Sequence, residues 1–406
     1  MALGDVIWQT VKIGSLDLLS SEASFFGIDI YEDINDPFGS PLIEINVMDP
    51  IDALNKNKIT GSYDSNEVEV KFKYEPTGEV VGFKGKMHSL KNQMDRMGNM
   101  DESSGHSKQY QVRAIQPEFF RAQGKRIQKG FTGPTTKHVE EIFKTISDKK
   151  VQTDSPSEPR DKTFGRVHPI DAVQSLMREH SSTTYKSSAY VIFQQWKNGT
   201  PKIIQTTYEQ LLQQSSVVTL RERTDLNYSG ATEQDMQNSI MFGQYDPSFS
   251  EPRALSKTAK NSFNLSTHTV VSESGKQDTK TKDPAFGNIS YVEDSPNVNT
   301  EDTMNNSQSH TASDAKRRRA QYLSHLMQGE ATIEVTGNPK ITLGSIINLE
   351  IPKKTDDNES GGESQFNKTA LVVAIRHKIK PAGQNPRYTM VLELVKGGMV
   401  QGGATA

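Results

Sequence analysis

The sequence predicts a mainly β fold with α+β insertions: antiparallel β modules at both ends of the chain, a smaller inserted α/β domain, and an irregular polar arm. Three observations carry this. Apolar residues recur at every second position over 6–115 and again over 331–396, the period of strands that bury one face. At Gln116-Pro117 the period changes to that of amphipathic helices. From Ser272 to Asp314, Ser, Thr, Asn and Asp displace any periodicity.

Within 1–116, four sets of alternating residues each mark one strand face: Phe26, Ile28 and Ile30; Ile43, Ile45 and Val47; Val68, Val70, Phe72 and Tyr74; Tyr110, Val112 and Ala114. Asp36-Pro37-Phe38-Gly39, Pro76-Thr77-Gly78 and the polar run 98–105 separate them as turns or loops. About six strands at this spacing make a barrel or a sandwich.

Residues 117–216 read as the inserted domain. After Gly133-Pro134-Thr135-Thr136, Val139, Ile142, Phe143 and Ile146 share one helix face. A loop over 154–161 precedes a second helix, with Pro169 in its first turn and Val173, Leu176, Met177 and His180 as its stripe. Tyr190–Trp196 and Pro201–Thr206 flank Lys197-Asn198-Gly199-Thr200, a hairpin signal, and a short helix over 208–213 closes the unit.

Residues 217–271 return to extended structure and join 315–397 as the second β domain. Between them, 272–314 is expected to be an arm ordered only by a partner. A helix over 314–328, with Ala315, Arg319, Tyr322, Leu323 and Leu326 on one side and Gly329 as its C-cap, leads into the terminal module. There, Ile333 and Val335; Ile347, Leu349 and Ile351; Leu371, Val373 and Ile375; and Met390, Leu392 and Leu394 form the apolar faces. Gly337-Asn338-Pro339 and Leu343-Gly344 supply tight or left-handed turns. An acidic, Gly-rich loop over 355–364 interrupts this module, and 398–406 is a flexible tail.

Composition excludes several classes of function. Hydrophobic residues make up only 33% of the 406, so much of the chain is surface, loop or interface. A net charge of −3, from 47 basic and 50 acidic residues, gives no whole-chain attraction to nucleic acid or an anionic membrane. The absence of cysteine excludes disulfides, thiol catalysis and Cys-ligated metals. No signal-like start or membrane-length apolar run is present, so a protein made soluble in a cytoplasm is expected.

The sequence offers no catalytic, cofactor-binding or metal site. The nine histidines include no pair on one helical turn; His325 and His377 read as satisfied, half-buried side chains. There is no Gly-x-Ser-x-Gly, phosphate loop or dinucleotide fingerprint, and the pairs Glu140-Glu141 and Asp356-Asp357 read as solvated charge. One cluster stands out. Lys316, Arg317, Arg318 and Arg319 lie in the first turn of the predicted helix, where cations oppose the helix dipole. They are either a solvated helix start or a cluster facing an interface or a lumen.

The order of these elements resembles the central baseplate hub proteins of contractile-tailed, T4-like phages and the N-terminal hub part of type VI secretion spike proteins. The most specific piece is the run from Gly337 to Leu349, a small turn, then Gly344, then an apolar strand, preceded by a helix containing Ala320-Gln321-Tyr322. The segment in which Pro169 opens a helix before the Tyr190–Thr206 hairpin is similar to that family's inserted domain. The resemblance implies two tube-type barrels per subunit. It also implies a homotrimer whose ring of six barrels adapts a three-fold central spike to a six-fold tail tube and lines a DNA ejection channel. Further implied partners are a tube-initiator protein, baseplate wedge proteins and a tape measure protein, in a virion tail baseplate assembled in the host cytoplasm; no enzyme activity or membrane insertion is implied. Two alternatives are the hub of a type VI or other contractile injection system and an all-β surface or glycan-binding module. A cell-wall hydrolase ranks third.

Overall fold

The alternation over 6–115 becomes seven strands and one short helix: β1 (Val6–Ile13), β2 (Leu16–Asp17), β3 (Ser24–Asp33), β4 (Leu42–Asp49), α1 (Ala53–Lys56), β5 (Glu67–Tyr74), β6 (Val80–Gln93) and β7 (Lys108–Ile115). The computed structural model describes residues 5–21, 23–61, 66–93, 108–184, 189–197, 199–222, 239–245, 257–264, 269–276, 290–295, 319, 323, 326, 330–350, 369–381 and 387–396. The strands pair antiparallel in the order β3-β4-β7-β6-β5-β1-β2. Ile43, Ile45, Val47, Val68, Val70, Phe72 and Tyr74 are fully buried, as the period requires. Each such side chain contributes roughly 1.5–3 kcal/mol. Asp49 ends β4 and starts α1, its carboxylate accepting the N–H groups of Ala53 and Leu54 at 2.7 and 2.9 Å.

The inserted domain follows as α2 (Pro117–Gln123), β8 (Ile127–Phe131), α3 (Thr135–Ile146), β9 (Val151–Thr153), β10 (Lys162–Val167), α4 (Pro169–Glu179), β11 (Tyr190–Lys197), β12 (Thr200–Thr207) and α5 (Tyr208–Leu212). The expected stripe on α3 is buried, as are Val173 and Leu176 of α4, and they form one core with Ile192 and Ile203 of the β11–β12 hairpin and with Phe38; Met177 is half-buried against it, and His180 lies just past the end of α4, outside this core. Phe38 stacks on Phe143 at 5.3 Å. The hairpin turn uses Gly199 at φ +73°.

The remaining strands are β13 (Ser216–Glu222), β14 (Ser239–Tyr245), β15 (Lys257–Asn264), β16 (Thr269–Lys276), β17 (Ser290–Ser295), β18 (Glu330–Thr336), β19 (Ile346–Glu350), β20 (Thr369–Lys380) and β21 (Arg387–Lys396). Six of them close into a barrel in the order β13-β14-β18-β21-β20-β19, with β19 returning to β13. All neighbours are antiparallel except β13, which runs parallel to both of its own. This departs from the antiparallel expectation because β13 and β19 both start beside the inserted domain: α5 immediately precedes β13, and Gly344, just before β19, packs on Phe193 and Leu211.

Two further readings are corrected. Residues 257–264, assigned from sequence to the second barrel, instead form a separate sheet with 269–276 and 290–295, in the order β16-β15-β17. Part of the expected arm is therefore paired strand; its polar composition hid it, because period two is visible only where one face is apolar. In β20 the alternation Leu371, Val373, Ile375 is broken by a bulge between Val372 and Ala374. The buried face past the bulge carries Ile375, His377 and Ile379. The residues 277–289, 296–314, 316–318 and 351–368, as well as His325 and the tail, lie outside the described residues.

The first sheet and the second barrel share one order of strand pairing, although β1 runs antiparallel to β5 and, among the described residues, does not close onto β3, whereas β13 runs parallel to β19 and closes the barrel on β14. In chain order the first uses β1, β3, β4, β5, β6 and β7, and the second β13, β14, β18, β19, β20 and β21. In both, the third strand pairs with the second and sixth, the sixth with the fifth, the fifth with the fourth, and the fourth with the first. Both second strands carry a bulge, between Phe25 and Gly27 and between Ile240 and Phe242. Both fifth strands carry another, between Met87 and Ser89 and between Val372 and Ala374. Aligned on these bulges, Ile28↔Ile45 matches Gly243↔Ile333, Glu67↔Lys86 matches Ile346↔Leu371, and Met87↔Ala114 matches Val372↔Leu394. The duplication is carried by backbone register, which is why no repeat shows in the side chains.

Candidate functional site at the seam between the barrels

A single thirteen-stranded sheet runs through both barrels because β20 is long enough to serve two. Its residues 369–371 pair with β19 of its own barrel, and 374–379 pair antiparallel with 33–28 of β3. Across this seam Arg376 Nε donates to Asp29 Oδ1 at 3.0 Å, and its guanidinium lies 5.1 Å from the Tyr31 ring centroid. The far end of the β20–β21 hairpin also completes the first barrel. Tyr388 packs edge-on to Phe72 at 5.1 Å and Tyr74 at 6.0 Å, and a bridge joins Arg387 to Asp5 ahead of β1.

Buried polar groups collect where the seam meets the inserted domain. Glu32 and His377 are 3% and 4% exposed, and with Tyr388, Phe83 and Trp196 they line a crevice of about 20 Å³, room for about one water molecule. Burial pushes the Glu32 carboxyl up to about 8 and the His377 imidazole down to about 3. It also raises the Tyr388 phenol well above its ordinary range. At neutral pH all three are therefore uncharged. The Tyr388 hydroxyl and His377 Nδ1 share a hydrogen bond of 2.7 Å, while Glu32 Oε1, His377 Nε2 and Trp196 Nε1 have no hydrogen-bond partner among the described residues.

The inserted domain clasps both barrels from one side. Gln194 Nε2 donates to the Pro37 carbonyl at 3.1 Å, and Gln195 Nε2 donates to the Leu343 carbonyl at 2.9 Å. Beneath them Lys149 Nζ contacts Glu118 Oε2 at 3.1 Å, Gln116 Oε1 at 2.9 Å and Gln194 Oε1 at 2.9 Å. Tyr208 donates to Asn35 Oδ1 at 3.1 Å. Gly199 at the hairpin tip rests on β6, where a Cβ on Gly82 would stand 3.3 Å from its Cα.

Of the basic cluster singled out in the sequence, Arg319 is partly buried and donates to the Tyr190 carbonyl, so it props the inserted domain. Lys316, Arg317 and Arg318 lie outside the described residues. His377 is more deeply buried than its expected half-buried place, and among the described residues only one of its ring nitrogens is bonded. Glu32 escaped notice, although a signal existed: it continues the inward phase of Ile28 and Ile30. Among the described residues no group of three or more His, Asp or Glu side chains could hold a metal ion, and no helix is long and apolar enough to cross a membrane. The arrangement is suited to holding backbone edges in register.

This mainly β chain, with a closed six-stranded barrel and a second sheet joined to it, has counterparts among solved structures. It is similar to the 43 kDa tail protein of prophage MuSo2 from Shewanella oneidensis, at 12% identity, TM-score 0.60, covering 97% of this chain and 98% of that one. It is likewise similar to a tail protein from Neisseria meningitidis MC58, at 12% identity, TM-score 0.56 and the same coverage. At this identity the likeness is one of fold. No protein-family model and no curated protein sequence matches the chain.

Proposed function

We propose that this chain is a structural component of a contractile injection machine, and within that class the central hub of a phage tail baseplate. Three copies form a ring that joins a three-fold spike to a six-fold tail tube and surrounds the path of DNA. The observation that carries this reading is the duplicated barrel: a three-fold assembly can meet six equivalent positions only if each subunit presents two similar units. The same strand order and the same two bulges in both barrels supply them. Phe26 and Met241 occupy the matching bulge of each barrel and are 45% and 57% exposed, so a trimer displays six apolar side chains in matched positions. The likeness of the whole chain to phage tail proteins supports the same reading. Native mass measurement, alone and with a spike protein from the same particle, is expected to give three copies. A strict monomer at high concentration in both cases overturns it.

A further inference from the structure

Three polar side chains from three parts of the chain end in the crevice at the seam. Trp196 comes from β11 of the inserted domain, Glu32 from β3 of the first sheet, and His377 from β20 of the second barrel. They are 7%, 3% and 4% exposed, so each is held away from bulk solvent. Glu32 lies opposite Ile375 and His377 opposite Ile30, which makes the two diagonal neighbours on one face of the seam. Phe83 packs against both rings, 5.1 Å from His377 and 5.6 Å from Trp196 between centroids, and walls the space between them with carbon.

Trp196 Nε1, His377 Nε2 and Glu32 Oε1 have no partner among the described residues, and a buried polar atom without one forfeits the hydrogen bonds it makes in water. Their chemistry narrows what can satisfy them. An indole N–H only donates, so an occupant must accept from it. The Glu32 carboxyl takes a donor, or supplies the proton itself where that oxygen carries one, and His377 Nε2 takes whichever role the Nδ1 bond to Tyr388 leaves it. A cation would meet the indole N–H and an anion the carboxyl, both unfavourably. A neutral molecule that donates and accepts fits all three groups, and the volume of about 20 Å³ limits it to the size of one water.

We propose that the crevice is a binding site for one water molecule, which accepts from Trp196 Nε1 and bridges Glu32 Oε1 to His377 Nε2. Three hydrogen bonds are the usual number for a buried water. One residue earlier on β11, Gln195 ties the inserted domain directly to Thr342 and Leu343 of the second barrel. At Trp196 the tie runs through the water and reaches the first sheet as well. The bridge lies inside one chain, so it is the same whatever assembly the chain enters.

Crystals of the full, unmodified chain, at a resolution that orders water, test this directly. A single peak is expected about 2.5–3.2 Å from each of the three atoms. No peak there, or Trp196 Nε1 bonded directly to Glu32 or His377, overturns the proposal. Solution NMR gives an independent reading. The chain has only two tryptophans, so Trp8→Phe leaves the Trp196 indole N–H as the one indole signal. Its nuclear and rotating-frame Overhauser cross-peaks to the water resonance are expected to carry the opposite signs of a molecule that tumbles with the protein. Signs typical of freely diffusing water, or no cross-peak, overturn it too.

Discussion

At the scale of single residues, the Glu32 and His377 pair makes the seam sensitive to pH from both sides. Glu32 keeps its proton in the folded chain up to about 8, whereas a free carboxyl releases it near 4.5. Stability is therefore highest on this account below the lower value, and falls as pH rises through the window from 4.5 to about 8. His377 acts in the other direction. Its folded-state value of about 3 lies below the ordinary 6.5, so its contribution is complete above 6.5 and is lost as pH drops toward 3. Because each tenfold change in a protonation equilibrium is worth about 1.4 kcal/mol, Glu32→Gln should remove a loss on the order of several kcal/mol between pH 5 and pH 8. Urea midpoints of the two proteins at pH 5, 7 and 8.5 check this; parallel curves would count against it. Gly344 gives a second residue-scale test. It sits at φ +78°, and a Cβ there would stand 2.7 Å from Phe193 Cζ, so Gly344→Ala should cost about 1–3 kcal/mol, read as a lower melting temperature.

At the scale of elements, the inserted domain is held to the barrels by a few polar anchors. Lys149 is held below its usual range by burial, which the Glu118 carboxylate opposes. Removing either partner leaves the other buried and charged, so Glu118→Ala and Lys149→Met should each cost about 3–5 kcal/mol, whereas replacing both together should cost far less than the sum. Denaturant titration of the two single variants and the double variant checks this, and a double variant that loses as much as the singles added together would contradict the desolvation argument. The α3 and α4 stripes and the β11–β12 hairpin are legible in the sequence because their signals are local: spacing of apolar residues on one turn, and a glycine able to adopt positive φ. The β15–β16–β17 sheet is not, since its strands lack an apolar face pattern.

For the whole molecule, the β20–β21 hairpin is the element on which the first barrel depends, although it lies more than two hundred residues further along the chain. A fragment of residues 1–116 retains β1 to β7 but loses Tyr388 from its core and the strand that covers β3. Such a fragment should lack a cooperative thermal transition and associate through its open β3 edge; circular dichroism and size measurement would detect a cooperatively folded monomer if this is wrong. At the same scale, Phe26→Asp with Met241→Asp should leave the proposed trimer intact and weaken its binding to the tube protein, measured by co-sedimentation. Unchanged binding would remove the six apolar positions from the proposal.

Read without coordinates, the chain already says where most strands and helices run, that Ile43, Val70, Ile142 and Leu176 face inward, and that it carries no thiol or obvious catalytic group. These follow from periodicity and residue chemistry, which are local. Folding in three dimensions was needed to establish which strand lies beside which, that Glu32 and His377 meet in one crevice, and that the two barrels share their bulges and register. Strand pairing is made by backbone groups that every residue carries alike, so the side chains that spell out a strand do not name its neighbour.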